Sequence, residues 1–493
     1  EARDLVPSSN PFLRQFFDHI AGPSFDSRIE WIVNELCEEF THADVRAIVH
    51  NYYKVEKEDS RDPIIHFYED FLREYDSAER KKMGVFYTPL PVVRFIIRSV
   101  DDILKKEFGL VQGLADASKV VIEKEIQGKK NKISVHKVQV LDPATGTGTF
   151  LNEAILHIKK SFEGQEGRWS QYVNSDLLPR LHGFELMMAS YTIAHLKLSS
   201  TLRESGAKIE NTRLGVYLTN SLEKGESAPK TLFDVFGLGK AITEESNQAN
   251  KVKNELPIMV VMGNPPYSGV SSNETDNANS LVEKYKIEPG GNQKLQERKH
   301  WLNDDYVKFI AFAENMIVKN GEGIVGFITN HGYLDNPTFR GMRWHLMDTF
   351  DSIYVVDLHG NSKKKEVSPD GSKDENVFAI MQGVSIMLAV KTGKKKKGDL
   401  AKVFRADVWG KRNNKFEQLN NFSIDKMKWE KIEDRLPNLF FAQSGSIKLE
   451  KEYQKGFSVN DLFMQNSTGI VTMGDGFIID EDKDVLQKRV ASF

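Results

Sequence analysis

The spacing of apolar positions changes once along the chain. Up to about residue 80, apolar side chains recur at helical spacing, as at Phe16, Ile20, Ile32 and Leu36, which predicts amphipathic helices. From about Gly84 onward, short apolar runs bounded by Gly, Asp, Asn and Pro alternate with helical stretches. This alternation predicts a doubly wound α/β domain with a mainly parallel sheet. The runs are 138–141, 181–184, 214–218, 258–262, 324–328, 353–358, 377–379 and 384–390.

The chain has 493 residues, which is too long for one compact core and predicts more than one domain. We predict a helical lead-in or coupler domain at 1–80 and the α/β domain at 81–435, in which 403–410 adds a further strand. We interpret residues 436–493 as the start of a C-terminal target-recognition region that is incomplete. Because no secretory signal opens the sequence and no apolar run reaches the length of a membrane span, we predict a cytoplasmic protein.

Charge and cysteine content narrow the possible functions only slightly. The formal net charge of −3 gives no global signal for nucleic acid, although a local basic surface is enough to bind DNA. The single cysteine, Cys37, excludes a disulfide within the chain and a cysteine-rich zinc site. We predict no metal site.

Two lysine runs, Lys363–Lys365 and Lys394–Lys397, interrupt the α/β pattern. The first lies in a polar insertion, and the second follows the apolar run 384–390. The simpler interpretation is that both are solvated loops, because charge runs are weak signals. Contact with the DNA backbone is the alternative.

A glycine-rich turn follows the first apolar run of the α/β domain. The segment Asp142–Phe150 reads Asp-Pro-Ala-Thr-Gly-Thr-Gly-Thr-Phe and opens a helix, and its glycines let the backbone approach a ligand closely. It lacks the Gly-Lys-Ser/Thr ending of an ATPase phosphate loop and the third glycine of a dinucleotide fold. A carboxylate at the strand end suits a ligand that carries an ammonium and a sulfonium, so we predict a site for S-adenosylmethionine.

Polar side chains also end the next two predicted strands. Glu185 follows the run 181–184, where an acidic side chain can accept hydrogen bonds from both ribose hydroxyls of a cofactor. Asn220 follows the run 214–218, where a side-chain amide can read the cofactor's adenine. Because ligands bind at the carboxyl ends of parallel strands, these positions fit the same site as Asp142.

The tetrapeptide Asn264-Pro265-Pro266-Tyr267 follows the strongly apolar run 258–262. Two prolines remove two backbone donors and fix the local chain, which leaves the Asn264 side-chain oxygen and the Pro265 carbonyl as convergent acceptors. Two such acceptors hold an exocyclic amine and direct its electron density toward a methyl group. Tyr267 offers an aromatic face to a base, which must be extruded from a duplex to reach such a site. The alternative is a simple Asn-Pro turn.

A helix start precedes the glycine-rich turn. Thr88 is a good capping residue for a helix with Pro89 in its first turn. Free amides at such a helix start favour a carboxylate, here that of the methionine moiety. The predicted apolar face of this helix is Val92, Val93, Ile96, Ile97 and Val100.

The order of these motifs resembles the gamma-class adenine-N6 DNA methyltransferases of the N-6 DNA methylase family. The likeness is carried by Gly84–Pro89 (Gly-Val-Phe-Tyr-Thr-Pro), the glycine-rich turn, Phe184-Glu185 and Asn264–Tyr267. It implies a Rossmann-like S-adenosylmethionine-dependent fold and methylation of the N6 amine of a flipped adenine in double-stranded DNA. The implied cofactor-binding residues are Tyr87, Thr88, Pro89, Asp142, Ala144, Gly146, Gly148, Phe150, Glu185, Leu186 and Asn220. The implied catalytic and target-base residues are Asn264, Pro265, Pro266 and Tyr267.

Three further segments resemble the long single-chain restriction–modification enzymes of the type ISP and type IIG kind. They are Phe67–Leu72, Gly469–Thr472 and Phe477–Asp480. This likeness implies a role in restriction–modification or phage defence in a bacterial or archaeal cell, with a nuclease or helicase region as partner. The sequence has no nuclease motif or ATPase loop, and Met473–Gly476 stands where those enzymes carry a basic residue.

Two alternative functions use the same residues differently. The Asn264–Tyr267 site can methylate RNA or a glutamine amide of a protein, because both substrates also present a planar amine. A non-catalytic DNA-binding subunit that keeps the fold is the third hypothesis. The segment 86–89 before the cofactor turn favours DNA over the first alternative, and the intact Asp142 and Asn264 disfavour the second.

Overall fold

A computed structural model describes most of the α/β region and parts of both ends of the chain. The described residues are 10, 12–15, 28, 30–44, 88–126, 129–209, 213–225, 237–267, 269, 271, 273–297, 300–433, 436–442 and parts of 452–492. They divide into two compact units, residues 1–442 and 443–493. None of the described helices has the length and apolar character needed to cross a membrane.

Within the described residues, eleven strands form a two-stranded hairpin and a nine-stranded sheet. In chain order they are β1 Lys119–Ile126, β2 Lys129–His136, β3 Gln139–Asp142, β4 Leu181–Glu185, β5 Val216–Leu218, β6 Ile258–Gly263, β7 Gly323–Asn330, β8 Ser352–Asp357, β9 Val384–Lys391, β10 Lys402–Asp407 and β11 Glu430–Ile432. The hairpin pairs β1 with β2, and the large sheet has the order β11-β10-β8-β9-β7-β6-β3-β4-β5. The sequence pattern did not predict the hairpin.

The large sheet is mainly parallel. Parallel pairs join β5, β4, β3, β6 and β7 in turn and β8 to β10, whereas β9 is antiparallel to both of its neighbours and β11 is antiparallel to β10. The predicted Rossmann-like α/β fold is therefore confirmed. Because β7 and β8 run in the same direction as β3, β4 and β6, all of these strands end at one edge, which we call the carboxyl edge.

The described residues also form helices. They are α1 Glu30–His42, α2 Leu90–Glu107, α3 Thr149–Lys160, α4 Glu166–Tyr172, α5 Met188–Glu204, α6 Gly237–Glu255, α7 Asp276–Leu281, α8 Asp305–Asn320, α9 Arg340–Thr349, α10 Arg412–Asn421, α11 Val459–Leu462 and α12 Lys483–Ala491. Helices α2 and α8 both pack on β6 and β7. Every residue of β6 is buried, which explains why its sequence is continuously apolar rather than alternating.

The predicted apolar face of α2 is buried at all five positions, from Val92 to Val100. One predicted strand is wrong, because residues 377–379 lie in the loop between β8 and β9. The side-chain amide of Asn376 holds that loop by donating to the carbonyls of Gly360 and Gln382, at 3.2 Å and 2.6 Å. The expected further strand at 403–410 is present as β10.

Candidate active site at the carboxyl edge of the sheet

Three of the predicted polar residues come together at the carboxyl edge. Asp142 is the last residue of β3, Glu185 is the last residue of β4, and Asn264 directly follows β6. These strands are neighbours in the order β6-β3-β4. A crevice at the carboxyl ends of adjacent parallel strands is where sheets of this class bind ligands.

The glycine-rich turn is shaped by two residues with left-handed backbone angles. Gly146 has φ of +54° and Gly148 has φ of +83°, which glycine adopts without steric cost. A Cβ at Gly146 meets no atom within 4 Å, so the backbone there faces open space, and its amide donates to Glu185 Oε2 at 2.7 Å. Ala144 is half-buried beside this turn, and Phe150 is buried in α3.

The Glu185 carboxylate is fixed by the backbone. Its Oε1 accepts from the amide of Met187 at 2.7 Å, and its Oε2 accepts from Gly146 at the same distance. Each carboxylate oxygen has a second lone pair, so both oxygens can still accept from a ligand. The neighbouring Leu186 is exposed.

The Asp142 carboxylate is fully buried. Its Oδ1 accepts from the amide of Ala144 at 3.1 Å, whereas its Oδ2 has no hydrogen-bond partner among the described residues. Gly263, on the adjacent strand, leaves room for this carboxylate, because a Cβ there would lie 2.7 Å from Asp142 Oδ1. The close approach therefore requires glycine at position 263.

Burial makes the ionised forms of both carboxyls costly. It raises the pKa of Asp142 from 3.8 to about 8, opposed by the Ala144 amide and reinforced by the charge of Glu185. It also raises the pKa of Glu185 from 4.5 to about 7, opposed by the amides of Met187, Gly146 and Leu186. Two buried acids at adjacent strand ends, one with an unpartnered oxygen, fit a ligand that brings positive charge. The ammonium and sulfonium of S-adenosylmethionine meet this requirement.

Asn220 lies at the same edge, but its side chain is already engaged. Its Nδ2 donates to Asn273 Oδ1 at 3.1 Å, and its Oδ1 accepts from the amide of Leu222 at 3.0 Å. Lys253 also donates to its carbonyl, at 2.6 Å. The bond to Asn273 uses one of the two hydrogens of this amide nitrogen, so the second remains able to donate to a cofactor base.

The start of α2 differs from the prediction. The helix begins at Leu90 with Pro89 at the capping position, and no side chain caps it, so the expected cap by Thr88 is wrong. Pro89 and Pro91 have no N–H, and the amide of Val92 donates to the Pro89 carbonyl, which leaves the amide of Leu90 as a donor at this end. Pro89 is half-buried, and Tyr87 lies outside the described residues.

Thr88 instead contacts the Asn-Pro-Pro-Tyr segment. Its buried hydroxyl accepts a hydrogen bond from Asn264 Nδ2 at 3.0 Å. The other end of this amide, Asn264 Oδ1, is buried and has no hydrogen-bond partner in the described part of the chain. Pro265 is buried and Pro266 is half-buried. The Asn264 amide is thus held by its nitrogen, and its oxygen is left to accept from a donor outside the chain.

Tyr267 is buried, and burial raises the pKa of its hydroxyl well above the usual value. Its ring meets that of Phe378 edge to face, with centroids 6.4 Å apart and an interplanar angle of 73°. The sequence pattern assigned Phe378 to a strand and did not associate it with the site. Asn376 could have indicated a turn instead of a strand, because asparagine favours turns in which its side chain bonds the backbone two residues on. In the structure its side-chain oxygen accepts from the Phe378 amide at 2.8 Å.

The loop that carries Phe378 is attached to α10. Arg412 donates to the carbonyls of Asn376 and Phe378, at 2.8 Å and 3.0 Å. Lys415 and Asp374, whose side chains are fully buried, form an ion pair at 2.8 Å beside them. The position of the Phe378 ring therefore depends on a helix that follows β10 in the chain.

A second polar cluster at this edge is satisfied internally. Asp357, His359 and Asp407 come close enough together to hold a metal ion. Arg405, however, donates to Asp357 at 2.8 Å and to Asp407 at 2.7 Å, and His359 bonds to Asp407 at 2.8 Å. The Arg405 guanidinium thus already pairs with both carboxylates.

Three solved structures share this fold. A DrdV–DNA complex is 24% identical with a TM-score of 0.69, and the match covers 100% of this chain and 46% of that one. The ATP-dependent type ISP restriction–modification enzyme LlaBIII bound to DNA is 26% identical with a TM-score of 0.62, with coverage of 88% and 29%. A nuclease-deletion mutant of the type ISP enzyme LlaGI with a DNA substrate mimic is 24% identical with a TM-score of 0.59, with coverage of 91% and 34%.

The chain spans less than half the length of each of these proteins. No curated protein matches the sequence. A family model described as N-6 DNA methylase matches residues 59–339, which is more than half of the 493 residues. The matched segment includes the glycine-rich turn, both strand-end acids and the Asn-Pro-Pro-Tyr segment. The chain belongs to the N-6 DNA methylase family.

Proposed function

We propose that this protein methylates the N6 amine of adenine in DNA and takes the methyl group from S-adenosylmethionine. The observation that carries the proposal is the Asn264 amide, which Thr88 holds by its nitrogen while its buried oxygen keeps no partner among the described residues. An unpartnered buried acceptor is costly unless a ligand satisfies it. An exocyclic amine supplies the donor.

The strand ends and the glycine-rich turn support a cofactor site at the carboxyl edge. Asp142, with its free Oδ2, is suited to the cationic methionine end, and Glu185 is held in position to accept from the ribose hydroxyls. The open space at Gly146 lets a ligand approach the backbone. In the same proposal Thr88, Pro89, Ala144, Gly148, Phe150, Leu186 and Asn220 line or support this pocket, together with Tyr87.

When bound, S-adenosylmethionine supplies a methyl group on a sulfonium, which is an electrophile that needs no further activation. The task of the protein is then to position the amine. Asn264 Oδ1 and the Pro265 carbonyl accept its two hydrogens, so the nitrogen lone pair is directed toward the methyl group. Because catalysis by positioning and electrostatics is sufficient, no strong base is required.

The base has to leave the duplex to reach this site. In the proposal it stacks between Tyr267 and Phe378, which Pro266 helps to keep in place. The two rings now meet edge to face, at 73°, so a base that lies between them requires the Phe378 ring to turn parallel to Tyr267.

The biological setting that fits best is restriction–modification or phage defence. The similar proteins include restriction–modification enzymes described in complex with DNA, and they are more than twice as long as the part that this chain matches. We infer a nuclease or helicase region as a partner and double-stranded DNA as the substrate. In this proposal residues 1–80 act as a coupler and residues 436–493 begin a target-recognition region.

The test is transfer of labelled methyl groups to DNA, RNA and protein, with products identified by mass spectrometry. We expect N6-methyladenine in DNA, and we expect Asn264→Ala to lower the rate by roughly a hundredfold or more while cofactor binding persists. Asn420→Ala, at an exposed asparagine on α10, is the matched control and should act like the wild type. Transfer only to RNA or protein would reject the DNA substrate, and cofactor binding without any transfer would favour a non-catalytic subunit.

A further inference from the structure

The two lysine runs of this chain lie at opposite edges of the sheet. Lys363–Lys365 follows β8, which ends at the carboxyl edge, whereas Lys394–Lys397 follows β9, which runs in the opposite direction. Strand β9 has eight residues, so at about 3.3 Å per residue it separates the edges by roughly 25 Å. The two runs therefore cannot serve the same surface.

The second run stabilises helix ends. Lys395 donates to the carbonyls of Met347 and Asp348 in the last turn of α9, at 2.7 Å and 2.6 Å. Lys394 donates to the carbonyl of Glu107 at the end of α2, at 3.3 Å. Cations at the carboxyl ends of helices satisfy carbonyls that lack an intrahelical partner. The remaining two lysines of this run, Lys396 and Lys397, are exposed.

The first run has a different environment. All three lysines are exposed, and Lys364 pairs with Asp335 at 3.0 Å, but Lys363 and Lys365 have no side-chain hydrogen bond or ion pair with a described residue. The β8–β9 loop that carries them also carries Phe378, which meets Tyr267 at the candidate active site. Ser362, next to Lys363, donates its amide to the carbonyl of Met381 at 3.1 Å, so the lysine run lies against the part of the loop that carries Phe378.

The acidic side chains of the same loop have other hydrogen-bond or ion-pair partners, and Asp370 accepts from the amide of Ser372 at 2.9 Å. Glu366 accepts from the amide of Asn361 at 2.8 Å, and Asp374 is paired with Lys415. Glu375 pairs with Lys373 at 3.0 Å. None of these carboxylates forms an ion pair with Lys363 or Lys365, so both ammonium groups remain available to an anionic partner.

We propose that Lys363 and Lys365 bind backbone phosphates of the DNA duplex next to the extruded base. The inference rests on the proposed function, because it places the duplex across the carboxyl edge where the base would enter. Phosphates are spaced along both strands of the duplex, so a pair of free ammonium groups on the loop that carries Phe378 can meet them whatever the sequence around the target base. Such contacts hold the duplex in register without reading its sequence.

The experiment measures how the affinity for a labelled DNA duplex depends on salt. Each neutralised phosphate contributes about 0.9 to the slope of log K against log salt, so Lys363→Gln/Lys365→Gln should lower the slope by about 2. This contribution is independent of sequence, and a duplex of arbitrary sequence is therefore a sufficient probe. The matched control is Lys396→Gln/Lys397→Gln, which removes the same charge at the opposite edge and should leave the slope unchanged.

Two readouts separate this inference from a change in folding. All four positions are exposed, so the affinity for S-adenosylmethionine should equal that of the wild type in both variants. Charge reversal by Lys363→Glu/Lys365→Glu should weaken binding further than the glutamine pair. An unchanged slope in the Lys363/Lys365 pair, or an equal change in the control pair, would overturn the inference.

Failure here is distinguishable from failure of the proposed function. If the wild type forms N6-methyladenine and the salt slope is unchanged in the Lys363/Lys365 pair, the surface assignment is wrong and the activity stands. If the Lys363/Lys365 pair changes the slope as predicted but the wild type forms no methylated base, the surface assignment stands and the activity is rejected.

Discussion

The side-chain nitrogen of Asn264 lies 3.0 Å from the hydroxyl of Thr88, although the two residues are 176 positions apart. This bond joins the segment proposed to hold the target amine to the start of helix α2. It also sets the orientation of the Asn264 amide, because a hydroxyl that accepts from Nδ2 leaves Oδ1 pointing away from it. Several measurable consequences depend on this and on the neighbouring contacts.

Replacing Thr88 by valine removes the acceptor while keeping the shape of the side chain. We expect Thr88→Val to lower the methylation rate by roughly tenfold, which corresponds to about 1.4 kcal/mol, in the range of one buried hydrogen bond. Thr88→Ser keeps the hydroxyl and should retain most of the rate. Single-turnover rates with saturating cofactor give the comparison, and a valine variant as fast as the serine variant would show that the bond does not position Asn264.

The two buried carboxyls make cofactor binding depend on pH. Burial raises the pKa of Asp142 to about 8 and that of Glu185 to about 7, so near neutral pH both retain protons for part of the time. A cationic ligand favours the ionised forms. We therefore expect S-adenosylmethionine to bind more tightly as the pH rises from about 6 to about 8, below the pH at which its own ammonium loses its proton, with release of protons from the protein on binding.

Calorimetry in buffers of different ionisation enthalpy measures that proton release. Asp142→Asn should weaken binding and reduce the number of protons released. The ligand-free protein should show the opposite trend in its free energy of unfolding. The folded pKa of Asp142 is raised above 3.8, so Asp142 keeps its proton in the folded protein at pH values where the unfolded chain has lost it. Stability therefore declines as the pH rises from about 4 to about 8. Affinity that is flat or falls across this range would contradict the assignment of Asp142.

Gly263 is predicted to be intolerant of any side chain. A Cβ would lie 2.7 Å from Asp142 Oδ1, so Gly263→Ala has to displace the carboxylate that we assign to the cofactor. We expect a cost of about 1–3 kcal/mol, seen as weaker S-adenosylmethionine binding and a lower melting temperature. Gly167→Ala is the control, because a Cβ there meets no atom within 4 Å; it lies in helix α4, so it should leave the affinity unchanged and should not lower the melting temperature. Wild-type affinity in Gly263→Ala would argue against a role of Asp142 in binding.

Arg412 should influence the target base and leave the cofactor unaffected. It holds the carbonyls of Asn376 and Phe378, so Arg412→Gln is expected to loosen the loop that carries the Phe378 ring. We expect a higher KM for DNA, a reduced 2-aminopurine signal from base extrusion, and unchanged affinity for S-adenosylmethionine. Phe378→Ala should show the same pattern more strongly.

Sequencing of the methylated product identifies the target adenine. A duplex with 2-aminopurine at that position is then the substrate for the extrusion measurement. Phe378→Tyr is the control variant, since it keeps an aromatic ring in place. If Arg412→Gln and Phe378→Ala both extrude the base as the wild type does, the stacking arrangement between Tyr267 and Phe378 is wrong.

The amino-acid sequence alone was enough to locate most strands of the large sheet and the residues at their ends. Apolar runs have the length of buried strands, and the polar residue that ends each run is local information. Asp142, Glu185 and Asn264 could therefore be assigned to one edge of the sheet from the order of the runs and the general behaviour of parallel strands. The order of the motifs along the chain also indicated the family. The apolar face of α2 followed from helical periodicity.

Which distant residues meet is a property of the tertiary structure. The bond between Thr88 and Asn264, the contact of Phe378 with Tyr267, and the separation of the two lysine runs all depend on how strands are ordered and directed in the sheet. Local spacing does not contain that order, because it is fixed by packing between segments far apart in the chain. For the same reason local patterns wrongly predicted that Thr88 caps a helix and that residues 377–379 form a strand, since long-range contacts place both elsewhere.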